Sequence, residues 1–218
     1  MGSRTVDELQ DHLDEGIAWR RIELHALAGA IEDAEQKYPG LPLSRAFARS
    51  GVALLYAHWE GFVKEACQGY VDFVAVRKLR FNELNDGLLK ISLEALLRRL
   101  DSGDDSASAA LIDVVRRPTV ARTKFSKNEI VDTKSNLRHN VLLEILEKIG
   151  FPVDSFATKA NLIDKSLCDA RNSIAHGRDH YPDPKAFALL RDSVMEMIEE
   201  IRDMILAQAR TQGYKYKV

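Results

Sequence analysis

The spacing of apolar residues in the first 80 positions constrains the fold of this chain more than any other feature. Apolar side chains recur at intervals of three, four or seven over residues 6–38 and again over residues 44–80. This spacing places them on one face of an α-helix. The segment Pro39-Gly40-Leu41-Pro42 separates the two stretches, because proline cannot continue a helix interior. The sequence therefore predicts two long helices, with Ser44 as the N-cap of the second.

Later segments show the same helical spacing over shorter distances. Helices are predicted over residues 88–100, 107–115, 137–149 and 158–176, and a last long helix follows the capping pair Asp183-Pro184. The chain has only 6 prolines and 12 glycines in 218 residues, and no alternating pattern of strand length stands out. The expected fold is all-α, a bundle of four longer helices with a helical and irregular insertion over about residues 84–136.

Composition limits the class of protein. With 45% hydrophobic residues, a chain of 218 residues is long enough for one large core, so a single domain over residues 1–218 is expected. No apolar signal region begins the chain and no stretch reaches the roughly 18 apolar residues of a membrane span. We therefore expect a soluble, cytoplasmic protein with no membrane partner. Cys67 and Cys168 lie on or beside apolar stripes and are expected to be core thiols, and no metal or cofactor motif is visible.

The segment Arg171-Asn172-Ser173-Ile174-Ala175-His176-Gly177 carries the strongest chemical signal. It combines a fixed cation with a group that titrates near neutral pH. An arginine that holds a phosphate and a histidine that moves a proton are two of the few groups needed to break an RNA phosphodiester without metal. In such a site His176 would act on the ribose 2′-hydroxyl, Arg171 would stabilise the charge on phosphorus, and Asn172 would position them.

The spacing within this segment predicts a shared site. Arg171 and His176 are five positions apart, which places them about 140° apart around a helix. One copy therefore spreads the two groups, whereas two copies facing each other would bring the arginine of one near the histidine of the other. This geometry would suit a homodimer in which the two motifs face each other. The structural alternative is that Arg171 pairs with an acid, Asn172 satisfies backbone groups and His176 helps Gly177 to cap the helix.

Three further residues have both a functional and a structural interpretation. Glu60 lies among apolar neighbours on the second helix, where it could orient His176 or Arg171, or form a surface pair with Lys64. Asp169 could tune His176 across two turns, although a surface acid is the simpler interpretation. A structural role is expected for His58, two residues before Glu60.

A local basic segment is the best candidate for binding RNA, because the net charge of −2 argues against broad coating by nucleic acid. The segment contains Phe125 among basic residues, namely Arg116, Arg117, Arg122, Lys124 and Lys127. It could hold single-stranded RNA through phosphate attraction and one stacking surface. Arg178, next to the motif, is a further candidate contact. The alternative is an ordinary charged, solvated loop.

The motif resembles the Arg-x4-6-His motif of the HEPN superfamily, in the form where Asn follows the Arg and Ala-His-Gly closes it. Three other stretches resemble stand-alone bacterial HEPN proteins of the RiboL-PSP and MAE-like branch. They are Trp19-Arg20-Arg21-Ile22-Glu23-Leu24, Leu55-Tyr56-Ala57-His58-Trp59-Glu60-Gly61-Phe62 and Lys134-Ser135-Asn136-Leu137. The four matches follow the order of the family and cover most of the chain.

This resemblance implies a helical domain that dimerises and cleaves RNA, often as a toxin or an antiviral defence effector. A neutralising antitoxin protein is then a candidate partner besides RNA and a second copy of the chain. A different class of function remains open. The chain could be a catalytically silent dimeric module that binds RNA, a nucleotide or a protein partner.

Overall fold

The expected all-α architecture is confirmed. The computed structural model describes residues 2–123, 125 and 131–217. In this part of the chain the β pairing is limited to isolated bridges. The α-helices in chain order are α1 (Val6–Lys37), α2 (Pro42–Ala75), α3 (Asp86–Asp101), α4 (Asp105–Arg116), α5 (His139–Lys148), α6 (Ala170–Ala175) and α7 (Pro184–Arg210). Among the described residues, no helix combines the length and apolar character that crossing a membrane requires.

Helix α2 forms the centre of the bundle and packs against α1, α6 and α7. Its largest side chains, including Trp59 and Phe62, are fully buried. Gly51 marks the closest approach, because a Cβ there would lie 2.5 Å from Ile31 Cδ1 and 3.0 Å from Phe187 Cε2. A larger residue at Gly51 would force the side chains of Ile31 and Phe187 to move.

The ends of α2 differ from the sequence-based expectation. The helix begins at Pro42 rather than Ser44, and Leu41 is the N-cap without a side-chain hydrogen bond. Proline suits this position because its fixed φ matches the helix and its missing N–H would have no partner there. The hydroxyl of Ser44 instead donates to the carbonyl of Leu41 at 3.0 Å. Helix α2 ends at Ala75, and Lys78 adopts a φ of 51° soon after it.

Helices α3 and α4, which lie within the predicted insertion, form a hairpin. Asn85 caps α3 by accepting from the N–H of Leu88, and Asp104 caps α4 by accepting from the N–H of Ser106. Helix α4 packs against α3 and buries a single residue, Ala107. It is therefore an outer layer on the bundle rather than part of the core.

The motif segment is less regular than the periodicity predicts. A continuous α-helix was expected over residues 158–176, but Asn161–Asp169 is π-helical and only Ala170–Ala175 is α-helical. Apolar periodicity cannot distinguish the two, because a wider turn still buries Ile163 and Leu167. The cap at Gly177 is confirmed, since its φ is 72° and its N–H donates to the carbonyl of Ile174 at 3.0 Å.

Helix α7 begins as the sequence predicts. Asp183 is its N-cap and accepts from the N–H of Ala186, and Pro184 is in the first turn. Helix α5 begins at His139, two residues later than expected. The delay has a local cause, since Lys134 and Ser135 have φ values of 52° and 55° and form a turn that helical geometry excludes.

Candidate functional site

Arg171 projects from α6 onto α2. Its Cζ lies 4.0 Å from the ring centroid of Tyr56, and its Nη2 lies 4.0 Å from Oε2 of Glu60. The two charged side chains are 24% and 19% exposed, so each is screened less than a surface pair would be. Of the two interpretations of Glu60, the structure favours the first, because the carboxylate faces Arg171 rather than Lys64.

The turn before α5 supplies a further partner for Arg171. The carbonyl of Ser135 accepts from Nη2 of Arg171 at 3.0 Å. Lys134 and Ser135 both occupy the left-handed region, which costs energy for residues other than glycine. The N–H of Leu137, which follows this turn, donates to the hydroxyl of Tyr56 on α2 at 2.7 Å. The turn is thus held where its carbonyl meets the guanidinium.

Tyr56 lies between Arg171 and the turn before α5. Burial raises the pKa of Tyr56 to about 12, and the nearby Glu60 carboxylate also raises it, whereas the bond from the N–H of Leu137 lowers it. The phenol is therefore neutral at physiological pH. Its oxygen accepts from the N–H of Leu137, and its ring face receives the Arg171 guanidinium.

Asn172 holds Arg171 rather than His176. Its side-chain oxygen accepts from Nη1 of Arg171 at 3.0 Å. Helical spacing would allow the side chains of Asn172 and His176 to meet, but no hydrogen bond joins these two side chains. The two residues are instead linked through the backbone, since the N–H of His176 donates to the carbonyl of Asn172 at 3.0 Å.

His176 is the C-cap residue that follows α6, directly before Gly177, and it is exposed. Its imidazole makes no hydrogen bond or ion pair with any residue that the structure describes. The chain beyond it is fastened to α2, because Arg49 donates to the carbonyls of Arg178 and, at 3.5 Å, Ile174. The backbone around His176 is therefore fixed, and its ring is left to solvent.

Asp169 and His58 belong to other parts of the surface and core. Asp169 lies 2.7 Å from Arg138 and 3.2 Å from Lys165, and the hydrogen bond from Arg138 holds its pKa below the usual range. It is a surface acid in an ion-pair cluster and does not contact His176. His58 is buried, its Nε2 lies 2.7 Å from Oε2 of Glu23, and burial lowers its pKa.

The predicted RNA-contacting residues are only partly described. Arg122 is exposed and donates from Nη1 to the carbonyl of Lys78 at 2.8 Å, in the connection between α2 and α3. Lys124 and Lys127 lie outside the described residues. Arg178 follows the glycine cap directly, and it is exposed beside His176. No contact among the described residues joins Arg122 to the group around Arg171.

Sequence reasoning missed the residues that frame Arg171. Tyr56 and the carbonyl of Ser135 were noticed only as parts of motif-like stretches, with no role attached. The one local signal is that Tyr56 precedes Glu60 by four residues, which places both on one helix face. The two cysteines are buried as expected, and Cys168 donates from Sγ to the carbonyl of Leu137 at 3.3 Å.

A family model for RiboL-PSP-HEPN proteins matches residues 15–207. The chain belongs to this family. The matched range contains the whole site, from Tyr56 and Glu60 on α2 to Arg171 and His176 on the motif helix. Comparisons with curated proteins and with solved structures found no match to this HEPN chain. Among its described residues, no three His, Cys, Asp or Glu side chains come together as candidate metal ligands.

Proposed function

We propose that this HEPN chain is a metal-independent endoribonuclease. The observation that carries the proposal is a contrast between two groups five residues apart. Arg171 is held by a frame that consists of Tyr56, Glu60, Asn172 and the carbonyl of Ser135, whereas the ring of His176 pairs with no residue that the structure describes. HEPN proteins are often ribonucleases, which supports the same chemistry. Neither group needs a metal ion to act on a phosphodiester.

The proposed reaction uses each group for one task. His176 takes the proton of a ribose 2′-hydroxyl, whose oxygen bonds to phosphorus while the bond from phosphorus to the 5′-oxygen breaks. The leaving 5′-oxygen receives a proton from water, and the products carry a 2′,3′-cyclic phosphate and a 5′-hydroxyl. Arg171 stabilises the negative charge that develops on the phosphoryl oxygens. Asn172 and Glu60 are positioning residues, because they contact Arg171.

We propose a homodimer as the active form. The two groups of one chain diverge by about 140° around α6, so a single phosphate cannot meet both in line. A second copy with its motif facing the first would place Arg171 of one chain near His176 of the other. The exposed ring of His176 is available for such an arrangement.

The basic segment is assigned to substrate capture, together with Arg178. Replacing Arg122, Lys124 and Lys127 with alanine should weaken RNA binding and lower its salt dependence, by at most about 0.7 in log–log slope for each lost contact with single-stranded RNA. Single-turnover cleavage at saturating RNA should change little. An unchanged slope would show that the segment is only a solvated loop.

The biological setting follows from the same activity. An endoribonuclease of this kind fits a toxin or an antiviral defence effector of the cytoplasm, with a neutralising antitoxin protein as a candidate partner. The second candidate function is a silent dimeric module that binds RNA, a nucleotide or a protein. The engagement of Arg171 by Glu60, Asn172 and Ser135 favours this alternative, because an arginine so paired could be purely structural.

Cleavage of total RNA in EDTA separates the two functions. The wild-type protein should produce fragments ending in 2′,3′-cyclic phosphate, and His176→Ala should lose this activity. His25→Ala is the matched control, because His25 is an exposed histidine on α1, outside the site. Absence of cleavage by the wild type, or equal cleavage by His176→Ala, would reject the enzyme and leave the binding module.

A further inference from the structure

The turn that carries His176 is closed by its own backbone. The N–H of Gly177 donates to the carbonyl of Ile174 at 3.0 Å, where Gly177 has a φ of 72°. The N–H of Arg178 donates to the carbonyl of Ser173 at 2.9 Å. These two bonds form the Schellman arrangement that ends many helices. His176 lies between the bonded residues, so the turn sets the path of its backbone.

Arg49 of α2 adds a second connection across this turn. Its Nη1 donates to the carbonyl of Arg178, and its Nη2 donates to the carbonyl of Ile174 at 3.5 Å. The two carbonyls belong to the residues two positions after and two positions before His176. One guanidinium can contact both, because its N–H groups lie in one plane and point in fixed directions. Arg49 therefore bridges the turn from outside.

The surroundings of Arg49 suit this role. The residue is half-buried, and no acid that the structure describes forms an ion pair with it. A charged donor makes stronger hydrogen bonds than a neutral one, and a partly buried charge is screened less than an exposed one. Within the described part of the chain, the carbonyls of the turn are thus what orients this guanidinium.

One face of α2 contacts both parts of the motif. Arg49 lies seven residues before Tyr56 and eleven before Glu60, a spacing that places the three on the same side of the helix. Tyr56 and Glu60 contact Arg171, whereas Arg49 holds the turn that carries His176. Seven residues correspond to about 10 Å along the helix axis. A single rigid helix thus fixes the separation between Arg171 and the backbone of His176.

We propose that Arg49 is a positioning residue for RNA cleavage, because it fixes the backbone from which the His176 imidazole reaches the ribose 2′-hydroxyl. This inference rests on the proposed ribonuclease function. A general base works only within hydrogen-bond reach of its proton, and a displacement of about 1 Å can cost about 10²-fold in rate. The ring of His176 keeps its own rotation, but the fixed turn limits the region that the ring can reach.

Arg45, one turn earlier on α2, offers a matched control. Its Nη1 lies 3.6 Å from Oδ2 of Asp179, and its Cζ lies 5.1 Å from the ring centroid of Tyr181. Both partners are side chains that follow the turn, and the Asp179 side chain is 72% exposed, so solvent screens this ion pair. Arg45→Gln therefore removes the same charge from the same helix without removing a bond to the turn around His176.

Hydrogen exchange of the full chain tests the bridge without RNA. In Arg49→Gln, the amides of Gly177 and Arg178 should exchange at least about tenfold faster, while amides in the middle of α2 report any global loss of stability. Arg45→Gln should exchange these amides as the wild type does. If Arg49→Gln does not fold, Arg49→Lys keeps the charge and one of the two bonds and should show a smaller increase. Unchanged exchange in a folded Arg49 variant would overturn the proposal.

RNA cleavage by the same variants tests the catalytic use of the bridge. Single-turnover cleavage at saturating RNA should fall at least about tenfold in Arg49→Gln, while the Kd for RNA stays within about twofold of wild type. Arg45→Gln should match the wild type in both. Weaker RNA binding with an unchanged saturated rate, or equal losses in the two variants, would overturn the positioning role. A wild type that cleaves no RNA would reject the ribonuclease, whereas hydrogen exchange decides separately whether Arg49 holds the turn.

Discussion

Arg171 and His176 are five residues apart, yet the fold treats them in opposite ways. Arg171 is 24% exposed and lies against Tyr56, Glu60, Asn172 and the carbonyl of Ser135. His176 is exposed, and its ring makes no hydrogen bond or ion pair with a described residue. Several contacts thus orient the cation, whereas no hydrogen bond or ion pair from a described residue orients the imidazole.

This difference indicates that one chain positions the guanidinium of Arg171 in the proposed site but does not position the imidazole of His176. A phosphate-binding cation gains from a fixed position, because preorganised charge costs no rearrangement during reaction. A general base must also be placed within hydrogen-bond reach of its proton. His176 therefore has to be placed by RNA or by a second copy of the chain, which is the physical basis for the proposed dimer.

Removing the histidine should give the largest change in activity with the smallest change in stability. His176→Ala is expected to reduce cleavage by about 10²–10⁴, the usual contribution of a general acid or base. Its free energy of unfolding should stay within about 0.5 kcal/mol of wild type, because the side chain is exposed and loses no hydrogen bond or ion pair with a described residue. Cleavage rates and urea denaturation measure the two effects. A strongly destabilised variant would show that the imidazole has a structural role.

Removing the arginine should affect both properties. Arg171→Ala is expected to reduce cleavage by about 10²–10³. It should also lower the free energy of unfolding by about 1–3 kcal/mol, because Glu60 and the carbonyl of Ser135 lose their partner. Arg171→Lys is the graded control, since it keeps the charge without the planar fork. Full activity with lysine would show that the frame around the guanidinium is unimportant.

The sequence predicts the local features of this site well. Apolar periodicity locates α1, α2 and α7, and the glycine and Asp-Pro signals locate the cap at Gly177 and the start of α7. These features depend on residues close in sequence. The separation of Arg171 and His176 around the helix follows from their spacing for the same reason.

The frame around Arg171 could not be predicted from spacing. It joins Tyr56 to Leu137 and Ser135 to Arg171, across 81 and 36 positions. Such contacts depend on how α2, the turn and α6 pack together. The π-helical segment before α6 escaped prediction because apolar residues remain on its buried face.

A substitution at Tyr56 tests the contacts around Arg171 while Arg171 and His176 themselves are unchanged. Tyr56→Phe keeps the ring under Arg171 but removes the partner of the Leu137 N–H, so the free energy of unfolding should fall by about 1–2 kcal/mol. Tyr70→Phe is the matched control, because the buried Tyr70 hydroxyl has no hydrogen-bond partner among the described residues. Its removal should be neutral or stabilising. If both variants lost the same free energy of unfolding, the hydrogen bond from Leu137 to Tyr56 would not stabilise the fold as proposed.

The same variant predicts a pH effect. Because the folded pKa of Tyr56 is about 12, above its ordinary value of 10.0, its contribution to stability is fully present below about pH 10. The contribution is lost as pH rises towards 12. Tyr56→Phe should therefore lose less stability than wild type between pH 10 and 12, as measured by denaturation at each pH. An identical alkaline loss in both proteins would contradict the assigned shift.

The smallest expected effect concerns the cap after His176. Gly177 has a φ of 72° and open space around it, so Gly177→Ala should cost about 1 kcal/mol from backbone conformation alone. Gly29→Ala is the control, because Gly29 lies in α1 with open space and no unusual φ. It should stabilise the protein by about 0.5–1 kcal/mol. Thermal unfolding of the two variants measures the difference, and shifts of the same sign would contradict the assigned cap.

Mixing two inactive variants tests the central claim most directly. Arg171→Ala and His176→Ala protomers are each expected to be inactive, but a mixed dimer contains one site with both groups intact. Equimolar mixing after dissociation and reassociation should yield half of the dimers as mixed species, with one working site each, and restore about a quarter of wild-type cleavage per chain. Activity no greater than the sum of the two separate variants, with mixed dimers shown to form, would contradict a site shared between chains.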